Sequence, residues 1–122
     1  MAFTKITLGT YFGNIIVSDT SAGATGQDNV TGAASTIHSI EVDNTANSST
    51  TVYFKIFDDA NPSINNDAPD YTFPVPGGQK IAFVTGDVLA FSTAISYACV
   101  TGKAKGNVTP PASAVPVLII AV

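Results

Sequence analysis

At 122 residues the chain has the length of one domain, 1–122, and can bury one core without disulfide or metal staples. Its net charge of -4 comes from nine acidic residues against five lysines, with no arginine, which argues against a nucleic-acid partner because phosphate contacts lean on clustered Lys and Arg. Charged residues make up only 11% of the chain, so hydroxyls, amides and small apolar groups must cover its surface, and such a surface is poorly protected against association.

Period-2 alternation flanked by Gly, Pro, Asn and Asp recurs along the chain and predicts seven or eight strands in a single antiparallel β-sandwich, jelly-roll or Ig-like. Two weak strands are expected around Lys5–Leu8 and Ile15–Val17, followed by an exposed polar loop or arm over 18–28. From Thr36 to Asp43, the face holding His38, Ile40 and Val42 is the better core candidate. Thr51 to Phe57 alternates in the same way, and the two runs are expected to form an antiparallel hairpin.

Asp58 to Asp67 reads as an Asp/Asn-rich loop, and Tyr71 to Val75 as an edge strand because of Pro69, Pro74 and Pro76. Gly77-Gly78 turns the chain into Lys80 to Val84, and Thr85-Gly86-Asp87 turns it again into the long run Val88 to Thr101. In that run Leu89, Phe91, Ile95, Tyr97 and Cys99 share one face. The other face carries only small residues, Ala90, Ser92, Ala94, Ser96 and Ala98, and so suits close approach by another sheet or subunit. After a connector over 102–114, the terminal strand 115–122 is apolar on both faces and is expected to be covered, a neighbouring subunit being one candidate cover. Ala90, Ser92, Ala94, Ser96, Val117, Ile119, Ile120 and Val122 are therefore the expected interface.

Reactive chemistry is sparse. Asp58, Asp59, Asn61, Asn65, Asn66, Asp67 and Asp70 supply oxygen ligands of the kind calcium prefers, but their spacing fails an EF-hand and the same residues build turns without metal. His38 and Cys99 have no partner motif, and neither a nucleophile elbow nor a phosphate-binding glycine loop is present, so no enzyme activity and no cofactor are expected. Tyr11, Phe12, Tyr53, Tyr71 and Tyr97 could stack on sugars, although core or interface roles suit them better without tryptophan. The opening residues lack a signal-peptide pattern, and the apolar C-terminal run is far short of a membrane span, so neither secretion nor a membrane partner is expected.

The segments Val52-Tyr53-Phe54-Lys55-Ile56-Phe57-Asp58, Ala68-Pro69-Asp70, Val75-Pro76-Gly77-Gly78 and Leu89-Ala90-Phe91-Ser92-Thr93-Ala94-Ile95 together resemble a pattern in small virion proteins of tailed bacteriophages. There a Tyr-x-Lys-x-aromatic strand leads through an Ala-Pro turn and a Pro-Gly hairpin to a strand containing Phe-Ser. The resemblance covers the central third to half of the chain. It implies a β-sandwich, made in the host cytoplasm and carried on the virion, that decorates or cements an icosahedral capsid as a homotrimer bound to the major capsid protein. A tail, neck or fibre component is the alternative within the virion. A carbohydrate- or receptor-binding module using the Asp/Asn loop and Tyr71 is the alternative outside it.

Overall fold

The computed structural model describes residues 3–7 and 15–122, with the side chain of Asp87 left aside; Leu8, Tyr11 and Phe12 lie outside the described residues. The chain is all-β, with strands β1 (Phe3–Thr7), β2 (Ile15–Ala22), β3 (Ser35–Asp43), β4 (Val52–Phe57), β5 (Tyr71–Val75), β6 (Lys80–Phe91), β7 (Ser96–Val100) and β8 (Val115–Ala121). They form a five-stranded sheet, β1-β2-β8-β3-β6, facing a three-stranded one, β5-β4-β7.

The segment after β2 completes the pattern. Gln27 pairs antiparallel with Tyr97, and the Cys99 N–H donates to the Gly23 carbonyl at 2.9 Å, so residues 23–27 line the outer edge of β7. Four nested antiparallel pairs result: β2 with β8, 23–27 with β7, β3 with β6, and β4 with β5. This wrapped hairpin is the connectivity of a jelly roll, which decides between the two sandwich topologies the sequence allowed.

Inward residues fill one core between the sheets. Ile37, Ile40, Val42, Leu89, Phe91, Val117 and Ile119 come from the larger sheet, and Val52, Phe54, Ile56, Tyr97 and Cys99 from the smaller. Aromatic pairs bridge the layers, Phe73 to Phe83 at 4.8 Å between centroids and Tyr71 to Phe91 at 5.7 Å, edge to face. One buried carboxylate enters this core. Asp19 accepts the Tyr97 hydroxyl at 2.8 Å and the Ser21 N–H at 2.9 Å beside a bulge that ends the regular pairing of β2 with β8.

The structure corrects several expectations. Ser18 to Ala22 is strand rather than loop, and 23–27 is sheet edge rather than exposed arm. β3 and β4 do not form a hairpin: β3 pairs with β6 and β8, and β4 with β5 and β7 in the other sheet. The chain does not reverse at Thr85-Gly86-Asp87, because β6 continues through it as a bulge whose register jumps from Ser39↔Val84 to Ile37↔Leu89. That bulge buries Ile37 together with Ile40 and Val42, whereas simple alternation from the expected core face of His38, Ile40 and Val42 would have pointed Ile37 the other way.

The run 88–101 is two strands, with β6 in one sheet and β7 in the other, so its small residues do not share a face. Strand 115–122 is central, hydrogen-bonded on both edges to β2 and β3 of its own chain; Val117, Ile119 and Ala121 face the core, while Leu118 and Ile120 face outward. The edge position of β5 agrees with the prolines that predicted it.

Candidate interaction surface

The outer faces of the two sheets differ. On the smaller sheet Lys55, Phe57, Ala98 and Val100 point away from the core yet are fully buried; the 101–114 segment reaches this face at Ala104, which accepts from Lys55, and meets the 58–70 segment where Gly106 lies close to the Asn65 carbonyl. The Lys55 ammonium, only 1% exposed, donates to the Ala104 carbonyl at 2.8 Å and has no carboxylate partner among the described residues. Burial pushes its pKa below the usual lysine value.

The sign for stability follows from that direction. The folded state binds fewer protons than the unfolded one between the lowered folded value and the ordinary value of 10.5, so this group's penalty is full below the window and fades as pH rises through it. Lys55→Met is expected to raise the thermal midpoint at pH 7 and to flatten the alkaline rise in stability relative to wild type. Equal midpoints for the two proteins across that range would refute the burial of the charge.

Among the described residues no loop roofs the larger sheet. Register and pleat place Ile6, Ile16, Ile120, Ser39 and Val84 in one row across its outer face, and Thr4, Ser18, Leu118, Glu41 and Ala82 in the next. Val84 is 83% exposed, Val88 79%, Ile6 49% and Val122 48%, while Ile16, Leu118 and Ile120 are half-buried by their neighbours. These exposed isoleucines and valines make this outer face the candidate interaction surface.

At one end the face turns polar, in a groove of about 230 Å³ lined by Ser18, Thr20, Glu41, Asp43, Lys80, Pro116 and Leu118. Lys80 Nζ lies 3.3 Å from Glu41 Oε1. The Thr45 hydroxyl and N–H, aided by Lys80, hold the Asp43 carboxyl below its usual range.

Of the expected interface residues, Ala90, Ile120 and Val122 lie on or beside this face. Ser92 is exposed at the end of β6 and donates to Asp58. Ala94, Ser96, Val117 and Ile119 are buried inside their own chain and are corrected to interior positions. Val84 and Val88 were not among the expected residues, although the alternation Ala82-Val84-Gly86-Val88-Ala90 was available in the sequence.

The Asp/Asn loop uses its oxygens on its own backbone. Asp58 accepts the N–H groups of Ser92, Thr93 and Ala94 at 3.1, 2.8 and 3.2 Å and the Ser92 hydroxyl at 3.1 Å. Partial burial opposes ionisation of Asp58, but these bonds outweigh it and lower the carboxyl pKa. Asp70 accepts the Asp58 N–H, Asp59 that of Asn61 and Asp67 that of Ser63. The hydroxyl of Ser63 joins Asn65 and Asn66. Among the described residues no three His, Cys, Asp or Glu side chains gather as a metal site.

Cys99 is fully buried, and burial with the nearby Asp19 charge pushes its thiol up to about 12, far from a reactive thiolate at neutral pH. His38 sits in the other sheet, where its Nδ1 meets the Gly86 carbonyl at 3.0 Å and ties the β6 bulge to β3. Tyr71 packs on Phe91 at the sheet edge.

Two buried asparagines missed by the sequence reading hold the loop end of the sandwich. The Asn44 amide donates to the carbonyls of Thr50, Val75 and Pro76 at 2.8, 3.0 and 3.2 Å. Asn47 joins the Asn44 side chain to the backbone of Ser113. Gly77 allows this closeness, since a Cβ there would lie 2.6 Å from the Thr50 nitrogen and 2.8 Å from the Asn47 oxygen. No family model matches the chain, and no curated protein or solved structure is significantly similar to it.

Proposed function

We propose that this chain is a non-enzymatic virion structural protein of a tailed bacteriophage, a decoration protein that cements the capsid by binding the shell of major capsid protein. The observation that carries the reading is the asymmetry of the jelly roll among the described residues: the outward residues of one sheet are buried, and the other sheet presents exposed apolar residues on its outer face. A surface with few charges and exposed valines and isoleucines suits lasting attachment to a repeated partner surface. Copies associate with one another on the shell, in the trimeric arrangement the resemblance implies. Each then bridges neighbouring capsomers, so that separating them requires several contacts to break together.

Co-sedimentation of the purified protein with undecorated phage shells tests the reading. Wild type is expected to pellet with shells and raise their disruption temperature. The pair Ile6→Lys and Ile120→Lys is expected to stay in the supernatant while keeping a folded circular-dichroism spectrum. Wild type that ignores shells, or a double variant that binds as well as wild type, would remove the open face from this role.

A further inference from the structure

β6 is an edge strand of the larger sheet, and unlike the other edge strands it has no guard on most of its length among the described residues. Residues 23–27 cover β7, and Pro74 interrupts β5. β1 at the far edge carries Lys5 at its centre, whereas the charge on β6 is confined to Lys80 at its first residue and Asp87 in its bulge. The strand is also close to a palindrome about Gly86. Stepping outward, Thr85 matches Asp87 in position, Val84 matches Val88, Phe83 Leu89, Ala82 Ala90, and Ile81 Phe91.

A contact across a twofold axis must be self-complementary, each residue i meeting j while j meets i. From this self-matching we infer that two copies of the chain join edge to edge along β6, antiparallel, about a twofold axis passing by Gly86. The register places Val84 opposite Val88 of the second copy and Ala82 opposite Ala90 on the outer face. Phe83 and Leu89, then Ile81 and Phe91, oppose each other on the inner one. Every outward residue thus meets an outward residue and every inward one an inward one, as antiparallel pairing requires.

Bulges normally keep an edge from pairing, but one centred on the axis meets its own copy, and the arms on either side remain free to pair. Gly86 has φ 59°, and a Cβ there would meet nothing within 4 Å in its own chain, so its tip is open for another backbone to approach. Charge matches at the ends. Lys80 falls opposite Ser92 of the second copy, whose N–H and hydroxyl are both held by the Asp58 carboxylate, so each end of the contact brings an ammonium toward a carboxylate.

The two five-stranded sheets become one ten-stranded sheet with a continuous outer face. This contact does not depend on shell binding, and it is separate from any threefold contact, so that on a shell it would tie one trimer to the next.

Register-specific cross-linking tests it on the full chain. A82C/A90C, oxidised at micromolar concentration, is expected to run as a disulfide-linked dimer, whereas A82C alone stays largely monomeric on a denaturing gel. Light scattering of the unmodified protein should give an even number of chains, and Val84→Lys should halve that mass without loss of the folded spectrum. A monomer, or a lone trimer whose mass Val84→Lys leaves unchanged, would overturn the twofold contact, as would failure of A82C/A90C to cross-link. Dimers of the unmodified protein that ignore shells would sink the decoration role alone, and unmodified protein that pellets with shells but fails the mass and cross-linking tests would sink the twofold contact alone.

Discussion

Removal of residues 117–122 is expected to leave a chain with no cooperative thermal transition. β8 lies between β2 and β3, so the truncation strips a ladder partner from each and splits the larger sheet in two. It also deletes Val117, Ile119 and Ala121 from the core, where they are 4%, 0% and 0% exposed. Burial of the first two side chains is worth about 1.5–3 kcal/mol each. With two strands of hydrogen bonds gone as well, the loss is comparable to the whole net stability of a small domain, about 5–15 kcal/mol. Circular dichroism against temperature reads the outcome. A sigmoidal melt near the wild-type midpoint would mean that β8 is dispensable, as a strand serving only a neighbouring subunit would be.

Asn44→Ala is expected to cost about 3 kcal/mol, because the buried carbonyls that accept from its amide lose their donor and cannot reach water. For a domain of this size that corresponds to a fall in thermal midpoint of about 10 °C. Asn44→Asp should be no milder, since it keeps the acceptor for Asn47 but loses both donors. Differential scanning calorimetry of the two variants separates this account from simple loss of volume. An Asn44→Asp protein as stable as wild type would show that the amide hydrogens are not what the corner needs.

What the sequence made legible was local. Alternation located nearly every strand, the prolines around Tyr71–Val75 marked an edge, and the apolar run 115–122 marked a strand with core residues. These are period-2 and φ constraints, which neighbouring residues express by themselves. The candidate surface was legible only in part. Ala90 was named for its small-residue run and Ile120 and Val122 for their apolar run, and all three lie on or beside the candidate face, while Val84 and Val88 were missed because Gly86 between them reads as a reversal. The glycine is in fact the site of a bulge, and whether a positive-φ residue turns a strand back or kinks it onward depends on whether a neighbouring strand pairs with both halves, as β3 does.

By itself, then, the sequence determined an all-β chain with little charge, because composition and alternation carry that information without reference to distant residues. Only the tertiary structure decided which strands share a sheet. β3 and β4 are adjacent in sequence and look like a hairpin, yet they cross between layers, since a sandwich closes its core by sending successive strands to opposite sheets. The same crossing decided which apolar residues became interior. Ala94, Ser96, Val117 and Ile119 vanished into the fold, and the open face was left to Ile6, Ile16, Ile120, Val84 and Val88, residues brought into one surface by pairing between β1, β2, β8, β3 and β6 rather than by any spacing along the chain.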